Sequence, residues 1–215
     1  MVKKNYSEAE MVRTFNLTRI VEYLTPRLAS WLQVEQPVFT PFEQYVFDEK
    51  LEEAVKGIIG WNEEKLKMHF ISHILPLGHL KDTEKYVLFY EKRLEDTIEG
   101  KPLSVKTDFM IATGLLDLYE KPFFHFQEYK PSLNPSGDPM GQLLQAMLIA
   151  QHKNKDNKPI YGCEIIGQYW RFIILEGKEY CISPSYDAIN KEKLLQIISI
   201  LRKFKHILET ELIVD

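Results

Sequence analysis

Hydrophobic positions along the chain change period several times, and each change marks an element. Between Ile160 and Ile182 the apolar residues fall in short runs broken by Gly167-Gln168 and Glu176-Gly177-Lys178. Runs of this length between turn residues predict strands at 160–167, 169–175 and 179–183. Two earlier strands are expected at about 85–93 and 103–112, joined at a Glu99-Gly100-Lys101 hairpin turn. Another follows at Phe123–Lys130, reached through a short irregular piece between Gly114 and Tyr119. Elsewhere the spacing is helical. Leu51, Val55 and Ile58, with Ala54 beside them, form one stripe, and Leu66, Phe70 and Ile74 form a second in a helix capped by Asn62 and ending near Pro76. Leu143, Leu144, Met147 and Leu148 mark a helix from Asp138 or Pro139 to about His152, after a loop at 131–137, and Leu194, Ile197, Ile198 and Leu201 mark a long one over 187–211. Residues 1–60 read as wholly helical, opened by a Ser7/Glu10 capping box and divided by Pro26, Pro37 and Pro41.

This order of elements predicts an α/β (α+β) fold with a central mixed sheet flanked by helices. An N-terminal helical extension, 1–60, would pack on an α/β domain, 61–215, as a single compact unit. At 215 residues and 45% hydrophobic content the chain can bury one substantial core, and 12% aromatics argue against disorder. No apolar run has membrane-spanning length and no signal-like apolar segment follows Lys3-Lys4, so a soluble, cytoplasmic protein without a membrane partner is expected. Cys163 and Cys181 lack neighbours at ligand spacing and read as reduced core thiols. His69 and His73 have a spacing that could ligate a metal, but with His79 beyond Pro76 they read as surface or capping residues, and His125 reads as strand filler.

Candidate chemistry gathers on two strands. Asp108 lies in Val-Lys-Thr-Asp-Phe-Met-Ile, and Glu128 and Lys130 lie in Phe-Phe-His-Phe-Gln-Glu-Tyr-Lys. Alternation puts Glu128 and Lys130 on one face of their strand. An acid two residues before a lysine recurs along the chain, but only here does it end an apolar strand. Two carboxylates from neighbouring strands with one ammonium can hold a divalent cation and position a water, which is phosphodiester chemistry; the competing account is a structural ion pair at a strand end. The net charge of −4 does not favour a nucleic-acid binder. Basic residues nevertheless cluster at Lys153, Lys155 and Lys158 and at Lys191, Lys193, Arg202, Lys203 and Lys205, and an acidic metal site lowers the total without excluding nucleic acid.

On these residues the chain resembles the PD-(D/E)xK nuclease superfamily, and is most similar to the N-terminal nuclease domain of type I restriction enzyme R subunits. The likeness covers roughly 61–175 and includes the element order: a helix bearing an acid, a strand, the Asp108 strand, the Glu128-Tyr129-Lys130 strand, and a helix opening near Gly141-Gln142. Thr107 stands where the family often has proline. The resemblance implies a restriction-endonuclease-like core. It implies Mg²⁺ or Mn²⁺ held by Asp108 and Glu128, with Glu63 (Glu64 as the alternative) leaning in from its helix and Lys130 orienting the attacking water. Gln142, or else Gln145, would lie near the scissile phosphate. DNA is the implied substrate, an endonuclease of restriction, defence or repair the implied activity, and a second copy or other restriction or defence subunits the implied partners. No Gly-x4-Gly-Lys-Ser/Thr motif is present, so no ATP-driven motor is expected. The other reading is a non-catalytic interaction or nucleic-acid-binding protein that retains the fold; the retained Asp, Glu and Lys favour the nuclease.

Overall fold

The computed structural model describes residues 5–213. Its centre is an eight-stranded mixed sheet. The strands are β1 (Thr18–Ile20), β2 (Val87–Ile98), β3 (Lys101–Leu115), β4 (Leu118–Lys130), β5 (Ile160–Ile166), β6 (Tyr169–Glu176), β7 (Glu179–Ile182) and β8 (Tyr186–Asp187). They run in the order β1-β7-β6-β5-β4-β3-β2, with β8 paired to β6. Most neighbours are antiparallel hairpin partners, whereas β4–β5 and β1–β7 are parallel. The β4–β5 crossover is the helix α6 (Pro139–Asn154), which covers one face of the sheet together with α1 (Glu8–Phe15). The opposite face carries α2 (Pro26–Leu32), α3 (Pro41–Gly57), a helical segment in three parts, and α7 (Lys191–Ile207).

Alternation along the strands divides the core between these faces. Phe109, Ile111, Tyr129, Tyr161, Cys163 and Phe172 pack with Trp31, Phe70 and Phe204 on one side. Met110, Ala112, Phe126, Ile173 and Leu175 pack with Met11, Phe15, Leu143 and Met147 on the other. The N-terminal segment therefore contributes to both layers. Trp31 is fully buried, and its indole donates to the Ile200 carbonyl at 3.0 Å.

Several elements start and stop for the local reasons anticipated. Ser7 and Glu10 form the capping box of α1, Asn62 accepts from the Lys65 amide at 2.8 Å, and Asp138 caps α6 with Pro139 in its first turn. Glu99 and Gly100 both take left-handed backbone (φ 52° and 73°), as a two-residue hairpin turn requires. Cys163 and Cys181 are buried and free. Among the described residues no helix is long and apolar enough to cross a membrane.

Four expectations need correction. Residues 1–60 are not wholly helical: Asn16 ends α1 in left-handed conformation, and β1 then pairs with β7, its Thr18 amide on the Lys178 carbonyl at 2.7 Å. Three residues are too few to show a period. The α3 stripe is rotated, since Phe47, Ala54 and Ile58 are buried while Val55 faces solvent. The irregular piece at 114–119 is a hairpin tip: β3 continues to Leu115 and β4 opens at Leu118, but Leu115, Leu116 and Leu118 are all exposed and so give no alternation. Finally, the long C-terminal helix begins at Lys191, capped by Asn190, because Tyr186–Asp187 joins the sheet as β8, and it closes with a π-helical turn at Leu208–Leu212.

Candidate active site

The sheet splits between β3 and β4. Their ladder runs from Leu115–Leu118 to Phe109–Gln127 and ends there. Beyond that pair β4 stays with β5 through Glu128, Tyr129 and Lys130, while β3 stays with β2. The next step of the register sets Asp108 opposite Glu128, at the level where the strands part. The Tyr129 amide, left without a strand partner on this side, donates to Asp108 Oδ2 at 2.8 Å. A carboxylate thus closes the ladder where a backbone carbonyl would otherwise do so.

Glu63 and Lys67 enter from the three-part helical segment: α4 (Glu63–Leu66), a π-helical turn (Lys67–Ile71) and α5 (Ser72–Leu77). Together with β2 and the ends of β3 and β4 they surround a cluster of acids and lysines. Lys130 Nζ donates to Glu128 Oε1 at 2.7 Å and to the Tyr129 carbonyl at 2.9 Å, and it lies 3.7 Å from Glu63 Oε2. Lys67 Nζ donates to Asp108 Oδ1 at 2.7 Å, Glu63 Oε1 at 2.8 Å and Glu91 Oε1 at 2.9 Å. Glu91 also pairs with Lys106. A cavity of about 410 Å³ opens beside Lys67, lined by Glu63, Glu64, Glu91 and Asp108 together with Met68, Ile71 and Tyr90, while Glu128 and Lys130 lie behind this lining.

Burial sets the protonation of the group. Glu128 is 3% exposed. Desolvation first, and the Asp108 charge second, push its carboxyl up to about 8 against the pull of Lys130. For Lys67, burial works against the charged form, but the hydrogen bonds it donates to Asp108, Glu63 and Glu91 outweigh it and raise its pKa above the ordinary lysine value. Lys130 is raised likewise, its desolvation overcome by Glu128. Both ammonium groups are therefore charged at neutral pH, while Glu128 can exchange a proton there.

The donors suit a hard divalent ion. Asp108, Glu128 and Glu63 present carboxylate oxygens, the ligands Mg²⁺ and Mn²⁺ prefer, and a cation, Lys67 Nζ, already stands among three acids. Among the described residues no three acidic, histidine or cysteine side chains are already placed to hold a metal ion. Loading would require the carboxylates to turn from their lysines.

Of the residues singled out in the sequence, Asp108, Glu128, Lys130 and Glu63 meet, and Glu64 lines the same cavity. The two glutamines do not join them. Gln142 is half-buried with its carbonyl beside Gly137, and Gln145 is fully buried, its amide 3.4 Å from the carbonyls of Tyr6 and Gly141. No hydrogen bond links either one to the acids among the described residues, because α1 covers the first turns of α6 and draws Gln145 toward it. Glu164, across from Glu128 on β5, is held by Arg171 at 2.6 Å.

Lys67, Glu91 and Lys106 were not singled out in the sequence. Lys67 follows Glu63 by four residues, a spacing common to solvated helix surfaces. Glu91 could have been found by counting: outward from the Glu99–Gly100 turn, strand pairing sets residue 91 across from Asp108. No family model matches the chain, and no curated protein does.

Proposed function

We propose that this protein is a divalent-metal-dependent phosphodiesterase, with DNA as the expected substrate, built on a restriction-endonuclease-like core. The observation that carries the reading is the convergence of Asp108, Glu128, Lys130 and Glu63 where β3 and β4 part. Hard oxygen ligands, a lysine within reach of them and an adjoining open cavity are what phosphodiester hydrolysis needs. Cleavage within restriction, defence or repair, with a second copy or other subunits as partners, is the biological setting that follows from the sequence resemblance.

Asp108 and Glu128 would hold Mg²⁺ or Mn²⁺, with Glu63 completing the acidic side. When bound, the ion supplies a Lewis acid and a water of lowered pKa. The remaining chemistry belongs to the chain. Asp108 is fixed by the Tyr129 amide through Oδ2, which leaves Oδ1, now on Lys67, as the oxygen free to turn to an ion. Glu128 releases its proton as it leaves Lys130. Lys130, freed from Glu128 but still tied to the Tyr129 carbonyl, orients the attacking water and neutralises charge developing on the phosphoryl oxygens.

The deciding experiment is Mn²⁺-dependent nicking of supercoiled plasmid by the parent, Asp108→Asn and Lys130→Ala. Cleavage is expected from the parent alone. Equal nicking by all three would remove these residues from catalysis. No Mn²⁺ binding and no nicking by the parent would favour the non-catalytic, interaction-protein reading.

A further inference from the structure

Lys67 is held as an ion is held. Three carboxylates from three elements, Glu63 on α4, Glu91 on β2 and Asp108 on β3, converge on its Nζ at 2.7 to 2.9 Å, and its side chain is only 18% exposed. One of those acids reaches it through an unusual backbone. Glu91 lies mid-strand with φ at 55°, and the β2–β3 ladder skips it between Tyr90–Phe109 and Lys92–Thr107. A non-glycine residue rarely adopts this region, because its Cβ crowds the backbone there. That conformation aims the Glu91 carboxylate at Lys67 and Lys106.

We propose that Lys67 is a tethered counter-cation of this site: its ammonium takes the place of the divalent ion in the metal-free protein and is released into the adjoining cavity when the ion binds. The inference rests on the metal-site reading above. Charge supports it. Glu63, Glu91, Asp108 and Glu128 face Lys67, Lys106 and Lys130, so the metal-free cluster is already close to neutral. A divalent ion entering while Lys67 stayed would leave an excess of positive charge beside Glu128, Lys130 and Asp108, which are buried, and that is costly. Geometry supports it as well. Lys67 opens the π-helical turn, and its stem borders the cavity of about 410 Å³ toward Met68 and Tyr90, which gives the freed ammonium somewhere to go. Released there, it would stand beside the scissile phosphate, so that metal loading and anion binding favour one another.

Calorimetric titration of Mn²⁺ into the metal-free parent, Lys67→Met, Lys67→Arg and Asp108→Asn tests this. Lys67→Met should bind Mn²⁺ at least about tenfold more tightly than the parent, because no internal cation has to leave. Lys67→Arg, which keeps the charge, should stay near the parent value. Equal or weaker binding by Lys67→Met overturns the proposal. If the parent binds Mn²⁺ through Asp108 and Lys67→Met gains nothing, only the role of Lys67 is lost. If neither binds, the metal site falls and the tethered cation falls with it. Should Lys67→Met fail to fold, reductive methylation of the parent gives an independent answer by peptide mass spectrometry. Labelling of Lys67 should rise several-fold on adding Mn²⁺ relative to Lys56, whose side chain is 70% exposed. Unchanged or reduced labelling overturns the proposal.

Discussion

At a strand end, Lys130 would ordinarily contribute as a surface pair does, about 0–1 kcal/mol. Its place in the molecule is different: it is 6% exposed and its partner Glu128 is 3% exposed. Breaking a buried pair from one side costs about 3–5 kcal/mol when the remaining charge is stranded. Here no full charge is stranded, since burial has lifted the Glu128 pKa to about 8 and the carboxyl largely keeps its proton at pH 7. Lys130→Ala should therefore lose about 1–3 kcal/mol in urea unfolding at pH 7, while nicking falls by at least about a hundredfold. The same proton bears on metal binding. Below pH 8 it must leave Glu128 before the carboxylate can act as a ligand, so Mn²⁺ affinity should climb between pH 6 and about 8 and then level off. Titrations in buffers of different ionisation enthalpy read that proton directly, and an affinity flat across this range would mean Glu128 is already ionised. Glu128 and Lys130 were legible in the sequence as residues. Their burial was not, because it depends on β5 and the helices closing over β4.

Among the elements, β4 carries the heaviest load. It is the boundary strand of the split, and on its other face it buries His125 against Trp31, Phe109 and Phe204. The Tyr129 hydroxyl donates to Gln127 Oε1, so Gln127 Nε2 donates to His125 Nε2 at 3.1 Å, leaving the proton of the neutral ring on Nδ1, which has no partner among the described residues. Complete burial pulls the His125 pKa from 6.5 down to about 3. Since the unfolded chain then binds the proton more readily, stability should be unaffected above pH 6.5 and fall by about 1.4 kcal/mol per pH unit as pH drops toward 3. His125→Phe should remove that increment from the acid side of a stability–pH curve. An unchanged slope would assign acid sensitivity to other groups. Reading the sequence as strands, turns and caps succeeded where each signal is local: Glu99-Gly100, Asn62 and Asp138 fix their elements by their own backbone chemistry. It failed for β1, which exists only because β7 offers an edge, and for the split, which is a missing pairing and leaves no mark in composition. Lys67 was hidden because a lysine four residues after a glutamate is ordinary on a solvated helix, whereas Glu91 was within reach of counting along the β2–β3 register.

For the molecule as a whole, the N-terminal segment is a structural part of the sheet sandwich. Asp138 ties it on: one carboxylate oxygen caps α6 through Gly141 and the other accepts the Glu8 amide at 3.0 Å. Gly141 lies so close to the backbone of Tyr6, Ser7 and Glu8 that an added methyl has no flexible side chain to displace. Gly141→Ala should cost about 1–3 kcal/mol or more and lift α1 from α6, measurable as a lowered melting temperature with early proteolysis before Asn16. Retained stability and protease resistance would show that α1 adjusts freely.

One further consequence follows from the amide of Tyr129, which rests on a carboxylate instead of a strand. Its proton is a natural reporter placed within one bond of the chemistry. In a nitrogen–hydrogen correlation spectrum, the position and solvent exchange of this single resonance would follow whatever draws Asp108 away, with no label or substitution near the reacting groups.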